Sequence, residues 1–402
     1  MNSLGRKINN YLLPATRLLY SNLALSLTKK DSRSVLLVAE FEKYGGTRTY
    51  FEQLCRYLHQ RSFRCVCLVR EIQVDDAFLQ LLAELNFSYH ILPGASFVND
   101  YWDDSNLSLR ALYLSKYFSS MAVFSSYCKT HRANRIIISS GDPDAWHFLF
   151  RLPVRHCHYI LHTLPFKAIA VEGRKIMNNK LSRNKNIISV STFAVHTILR
   201  QWGIPALSRP FVYSVPNYFD DAESADGKPT GDLQVLTLGH LAEYKNPFVW
   251  IEVARKVKAM ASRPVEFIWA GDGTLLQRCL EMTEEDAHIH FIGYQKDVHA
   301  LYKNATIYFQ PSLIESQGMA VIGAMAYKLP CVVSNTGGLP ESVEHNQNGF
   351  VVNPLDVSTM SAHILELLNS EGLRGQMGAS SRAVFEQRFT KDRWENSMNK
   401  II

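Results

Sequence analysis

Apolar residues in this chain gather into short runs, each closed by glycine, proline or a polar cluster and separated by segments with helical spacing. In the first half the runs are SVLLVAEF (34–41), CVCLVRE (65–71), YHILP (89–93), RIIIS (135–139), HYILH (158–162), IISVS (187–191) and FVYSVP (211–216). Between them lie amphipathic stretches such as TYFEQLCRYLHQ and TFAVHTILRQWG. Buried strands alternating with helices predict an α/β fold with a parallel sheet. The breaker-rich stretch NYFDDAESADGKPTGDLQ (217–234) interrupts the rhythm. It then restarts with LQVLTLGHL (233–241), VEFIWAG (265–271), IHFIGY (289–294), IYFQPS (307–312), CVVSN (331–335) and GFVV (349–352). The expected architecture is two doubly wound domains joined by a linker, with a ligand cleft at the carboxyl ends of the strands. The divisions are an arm over 1–30, a first domain over 31–217, a linker over 218–232, a second domain over 233–382 and a closing helix over 383–402.

A length of 402 residues agrees with two domains, and hydrophobic content of 47% marks a globular chain. The net charge of +6 is uneven: residues 1–30 carry Arg6, Lys7, Arg17, Lys29 and Lys30 and no acid. Leu12, Leu19, Leu23 and Leu27 share a helical face there, with Pro14 starting or kinking the helix. The uncharged run 18–28 is too short to span a bilayer, and no signal-peptide cleavage site follows it. Two readings of the arm stand side by side, an interfacial helix drawn to anionic lipid and a helix packed on the first domain. Seven cysteines without a CxxC pair suit a reducing compartment, so a cytoplasmic protein is expected, peripheral on the inner membrane face if the arm binds lipid. In HCHYILH, residues His156, Cys157, His158 and His162 invite a metal, but alternate strand positions face opposite ways. No metal is expected.

Glycine turns end several strands of the second half: LGHLAEYKN (238–246), AGDGT (270–274), FIGY (291–294) and SNTGGLPE (334–341). Such turns let an anion approach the backbone and point helix amides at it, and His240 and Lys245 add basic side chains. No GxxxxGK[ST] loop is present, which excludes a P-loop. Gly45 and Gly46 supply a comparable turn after the first strand. In ESQGMAVIG (315–323) a helix is expected to offer free amides near Gly318, Met319 and Ala320, with Glu315 beside them. A carboxylate there repels phosphate but accepts hydrogen bonds from sugar hydroxyls, so a nucleotide joined to a sugar meets both demands.

In this order and spacing, ISVSTFAV, VPNYFD, LGHLAEYKN, AGDG, FIGY and PSLIESQGMAVIGAMAYKLPCVVSNTGGLPESVEHNQNGFVV closely resemble the retaining GT-B glycosyltransferases of family 4 over most of residues 187–370. The resemblance implies a GT-B fold and metal-independent transfer of a sugar, with retained anomeric configuration, from a nucleotide-sugar donor to a glycan or lipid-linked acceptor in cell-surface polysaccharide or glycolipid synthesis. The donor is a substrate and no cofactor is implied. No nucleic-acid partner is expected. The family's Arg and Lys fall on His240 and Lys245, and its paired acids on Glu315 and Gly323. The resemblance therefore assigns Lys245 to the leaving diphosphate and Glu315 to the donor sugar. Gln317, Gly318, Met319 and Ala320 fall beside diphosphate and sugar, Gly271, Asp272 and Gly273 on a donor turn, and Tyr294 by the base. His162 matches a histidine lining the reaction centre, and the closing helix is expected to return to the first domain.

Two charged positions depart from the family, His240 for Arg and Gly323 for the ribose-binding acid; Tyr218 also replaces the usual glycine after Asn217. Tighter binding of a ribose-bearing donor by Gly323→Glu would show that the family's site is present and only weakened. The departures motivate an alternative, a catalytically degenerate copy that binds glycan or peptide and supports an active glycosyltransferase. A GT-B-like epimerase or phosphorylase is a third reading. Acceptor contacts are expected from PGASFVNDYWDDSN and LPFKAIAVEGRKIMNNK, the latter with Lys167, Arg174, Lys175 and Lys180.

Overall fold

Two parallel sheets organise the chain in a computed structural model that describes residues 30–41, 45–92, 107–141, 146–165, 171–220 and 233–402. One unit comprises the described residues up to Val190 together with Ala194–Ser214 and Ile401–Ile402; the other comprises Ser191–Phe193 and Val215–Lys400. The division after Ser214 precedes the breaker-rich stretch, of which 221–232 lie outside the described residues, as do the arm up to Lys29 and the segment 93–106. Lys167 also lies outside them, and nothing is described of the Arg174 side chain.

The first sheet contains β1 (Asp31–Glu40), β2 (Arg64–Val69), β3 (Ser88–Ile91), β4 (Ala133–Ser140), β5 (His156–Leu161), β6 (Lys185–Ser189) and β7 (Val212–Ser214), in the order β3-β2-β1-β4-β5-β6-β7. Helices cover both faces, so central strands are buried on both sides and read as unbroken apolar runs. In β1, residues 34–39 are all buried, with Val35 beside Cys65 and Leu36 beside Ile136. The helix Gly46–Gln60 buries Tyr50, Phe51, Leu54, Cys55 and Leu58, a stripe at helical spacing. Asp75 caps the helix Asp76–Leu85 by accepting from Phe78 N at 2.9 Å, and also holds the buried Arg48 guanidinium at 2.6 and 2.8 Å.

The second sheet contains β8 (Leu233–Leu238), β9 (Val265–Ala270), β10 (Ile289–Phe291), β11 (Ile307–Gln310), β12 (Cys331–Ser334) and β13 (Gly349–Val352), in the order β10-β9-β8-β11-β12-β13. Both sheets place their first strand beside their fourth. The chain reverses direction of travel across the sheet at that point, which opens a crevice at the carboxyl ends of β8 and β11 and, in the other unit, of β1 and β4. The helices Glu371–Arg388 and Lys391–Met398 cluster with the second unit, and Ile401–Ile402 with the first. Trp394 is buried against Tyr218 with ring centroids 5.2 Å apart, so Tyr218, where the resemblance expects a glycine, serves as packing. All seven cysteines are free and buried.

Candidate active site

The carboxyl end of β8 turns through Gly239 and Leu241, whose amides donate to Ala270 O at 3.1 Å and Asp272 O at 2.9 Å. These turns lie so close that a Cβ on Gly271 would sit 2.0 Å from the Gly239 carbonyl oxygen, and one on Gly273 2.4 Å from that of Leu241. The glycines of AGDG are therefore required first by backbone packing. A 3-10 turn over Glu243–Lys245 follows, ending at Asn246 in the left-handed region (φ 62) before the helix Pro247–Met260. Asn246 Nδ2 donates to Pro354 O at 2.9 Å and Pro311 O at 3.2 Å, which ties the turn to the loop after β11.

That tie places Lys245 Nζ in an ion pair with Glu315 Oε2; their side chains are only 14% and 15% exposed. Burial works against the ammonium, but the charge of Glu315, with Tyr244 beside it, outweighs that cost and raises the Lys245 pKa above its ordinary value. Glu315 Oε2 also accepts from Gln310 Nε2 at 2.9 Å. Gly337 (φ 59) and Gly338 pass directly behind this carboxylate's backbone: Gly338 N donates to Glu315 O at 3.1 Å, and a Cβ on Gly337 would lie 1.7 Å from that oxygen.

Gly318 (φ 95) turns the chain into the helix Met319–Ala326. The first amides of that helix have no intrahelical acceptor and carry the positive end of its dipole. Gln317 is buried, its Oε1 accepting from Asn217 N at 2.8 Å. Gly323, in the same helix, faces the interior: a Cβ there would meet the Tyr302 hydroxyl at 2.6 Å and ring carbons at 2.7 and 2.8 Å, while that hydroxyl donates to Ala320 O at 2.8 Å. The space for an acid at 323 is thus filled by an aromatic ring. His240 has its Nδ1 3.4 Å from the Tyr244 hydroxyl. Tyr294 is exposed and follows Gly293 (φ 66), whose carbonyl accepts from Gly271 N at 2.8 Å.

His162, Gly45 and Gly46 belong to the first unit. Gly45 (φ 106) precedes the helix Gly46–Gln60. His162 follows β5, with its Nε2 2.9 Å from Ser139 Oγ and its ring edge-on to Tyr50 at 4.5 Å. Desolvation pushes its pKa down to about 3, so at neutral pH it is an uncharged imidazole. Nearby, His158 Nδ1 pairs with Asn186 Oδ1 at 3.0 Å, and Cys157 is buried. Among the described residues no group of three or more His, Cys, Asp and Glu side chains could hold a metal ion, and no helix is long and apolar enough to cross a membrane.

Sequence reading did not single out Gln310, Tyr308 or Tyr302. The available signal was Gln310 itself, an amide at the end of an otherwise apolar strand, because a buried amide requires partners.

Residues 219–384 match the family Glycosyl transferases group 1. The N-acetyl-alpha-D-glucosaminyl L-malate synthase of Bacillus anthracis is 30% identical over 135 residues, 32% of this chain and 35% of that protein. The O-antigen chain mannosyltransferase B of Escherichia coli is 33% identical over 136 residues, 33% of this chain and 34% of its own. The matches thus span about a third of these relatives' length. Among solved structures, a glycosyltransferase from Rickettsia africae superposes with a TM-score of 0.74 at 16% identity, covering 92% of this chain and 98% of that one. Anabaena HepE in complex with UDP and glucose superposes with a TM-score of 0.68 at 17% identity and the same coverage. The chain therefore has the GT-B fold, and its residues 219–384 are similar to the group 1 glycosyl transferases.

Proposed function

We propose that the second unit binds a nucleoside-diphosphate sugar and that the protein transfers the sugar, with retained configuration and without a metal ion, to a glycan or lipid-linked acceptor of the cell surface. The observation that carries this reading is the shielded Lys245–Glu315 pair in the unit that also holds the amino end of the helix Met319–Ala326. A cation and unbonded amides suit a diphosphate, and a carboxylate suits sugar hydroxyls. Lys245 remains protonated as charge grows on the leaving diphosphate, which is electrostatic preorganisation rather than proton transfer. We assign Gln317, Gly318, Met319 and Ala320 to diphosphate and sugar, Gly271, Asp272, Gly273 and Tyr294 to the nucleoside side, and His240 to a second basic contact. His162, with Gly45 and Gly46, is assigned to the acceptor side, where a neutral imidazole serves as a hydrogen-bond partner. The UDP and glucose in the HepE complex support a sugar-nucleotide ligand for this fold. The O-antigen relative supports a surface-glycan product. Work at the inner membrane face, with residues 1–30 on anionic lipid, completes the reading. Full-length protein should then sediment with anionic vesicles and a chain starting at Asp31 should not.

Titration calorimetry with a panel of nucleotide sugars tests the donor site. The wild type should bind at least one saturably, and Lys245→Ala should weaken it by roughly 10- to 100-fold, the equivalent of one charged hydrogen bond. Absence of saturable binding by the wild type overturns the reading. One observation favours a second reading, a non-catalytic glycan- or peptide-binding partner of an active enzyme: Tyr302 occupies the space an acid at 323 would need. Turnover by the isolated chain that disappears in Lys245→Ala excludes it.

A further inference from the structure

We infer that Gln310, oriented by Tyr308, is a positioning residue for Glu315, fixing one carboxylate oxygen so that the other faces the donor sugar. The inference rests on the donor-site reading above. Ile307 and Phe309 join the apolar cluster on one face of β11, which puts Tyr308 and Gln310 on the other face. All four are buried. A buried amide needs partners at both ends. Gln310 has them: Nε2 lies 2.9 Å from Glu315 Oε2 and 3.1 Å from Ser312 Oγ, and Oε1 lies 2.8 Å from the Tyr308 hydroxyl.

The chemistry fixes the direction of this chain. An ionised carboxylate only accepts, so the end of Gln310 facing Glu315 is the NH2 group, and Tyr308 must donate to the other end. Glu315 Oε2 thus takes both Lys245 Nζ and Gln310 Nε2, while Oε1 has no bonded partner among the described residues. Two donors on one oxygen leave the second oxygen as the open acceptor for a hydroxyl. Without Gln310 the carboxylate is free to rotate and offer both oxygens to Lys245. That geometry would neutralise the cation more completely and present nothing to the sugar.

The test compares two affinities in the same protein, for a nucleotide sugar and for its parent nucleoside diphosphate, using UDP-glucose with UDP and GDP-mannose with GDP. General damage to the fold lowers both, whereas loss of Glu315 positioning lowers the first selectively. In Gln310→Leu the ratio of nucleotide-sugar to diphosphate affinity should drop about tenfold, the scale of one hydrogen bond to a charged group. Tyr308→Phe should produce a smaller drop, and the double variant no more than Gln310→Leu alone. Gln310→Glu sets two carboxylates against each other, so its affinity for the sugar should be weak at pH 8 and recover as the pH falls and one proton is shared. An unchanged ratio in Gln310→Leu, or a flat pH profile in Gln310→Glu, overturns the inference. Failure of the wild type to bind either pair overturns the donor-site reading beneath it.

Discussion

Gly323 separates what a motif implies from what a residue does in place. The resemblance puts the second acid of its pair at this position and invites repair by Gly323→Glu, but the direction of the missing side chain leads into the Tyr302 ring rather than to open space. Overpacking a filled core costs about 1 to 3 kcal/mol, and a buried carboxylate without a partner adds to that. Gly323→Glu should therefore lower stability by at least about 2 kcal/mol in urea denaturation and should not tighten any donor. Tighter donor binding at unchanged stability would mean that Tyr302 yields and the acid reaches ribose. The same logic applies to Gly337, held at φ 59 with its open side against the Glu315 carbonyl. Gly337→Ala should cost about 2 kcal/mol or more through left-handed strain and contact, and should reduce nucleotide-sugar binding by displacing Glu315. Wild-type stability and binding in that variant would contradict the packing described here.

Strands were the most legible elements because a strand covered on both faces has no polar positions to hide it. RIIIS, CVVSN and GFVV each lie in or overlap an observed strand, with differences only at the ends. The glycine turns were legible as turns but not in their purpose. Gly271, Gly273, Gly337 and Gly338 meet neighbouring backbone, which depends on contacts between segments far apart in sequence. The motif named Lys245 and Glu315 as separate contacts and not as a pair; their closeness follows from Asn246, whose amide fastens one loop to two others. Tyr308 and Gln310 escaped because their partners are set by tertiary geometry and leave no periodic trace. Glu315 is thus supported by an element, β11, as much as by its own loop.

At the scale of the whole molecule, desolvated histidines make stability depend on acid. Desolvation holds His158 and His162 down to about 3 each, and desolvation together with the charges of Arg135 and Arg155 holds the half-buried His156 to about 4, against an ordinary 6.5. Between those values the unfolded chain binds protons that the folded chain does not, so unfolding takes up protons and acid favours it. This stability is complete only well above pH 6.5 and is lost as pH falls through 6.5 toward about 3. The midpoint of thermal unfolding should drop between pH 7.5 and 5.5, before most carboxylates titrate, and His158→Asn should flatten the drop. A midpoint that is constant or rises over that range would contradict it. Two sheets of like order, each with its first strand beside its fourth, give the molecule two crevices, and the account assigns donor and acceptor to separate units. Lys245 and Glu315 would make the second unit a working donor site. The most direct measurement is release of nucleoside diphosphate by the isolated chain, given the nucleotide sugar it binds and a lipid-linked glycan extract as acceptor. A working donor site gives release that depends on acceptor and falls about 100-fold in Lys245→Ala; no release above background, or equal release by Lys245→Ala, rules it out.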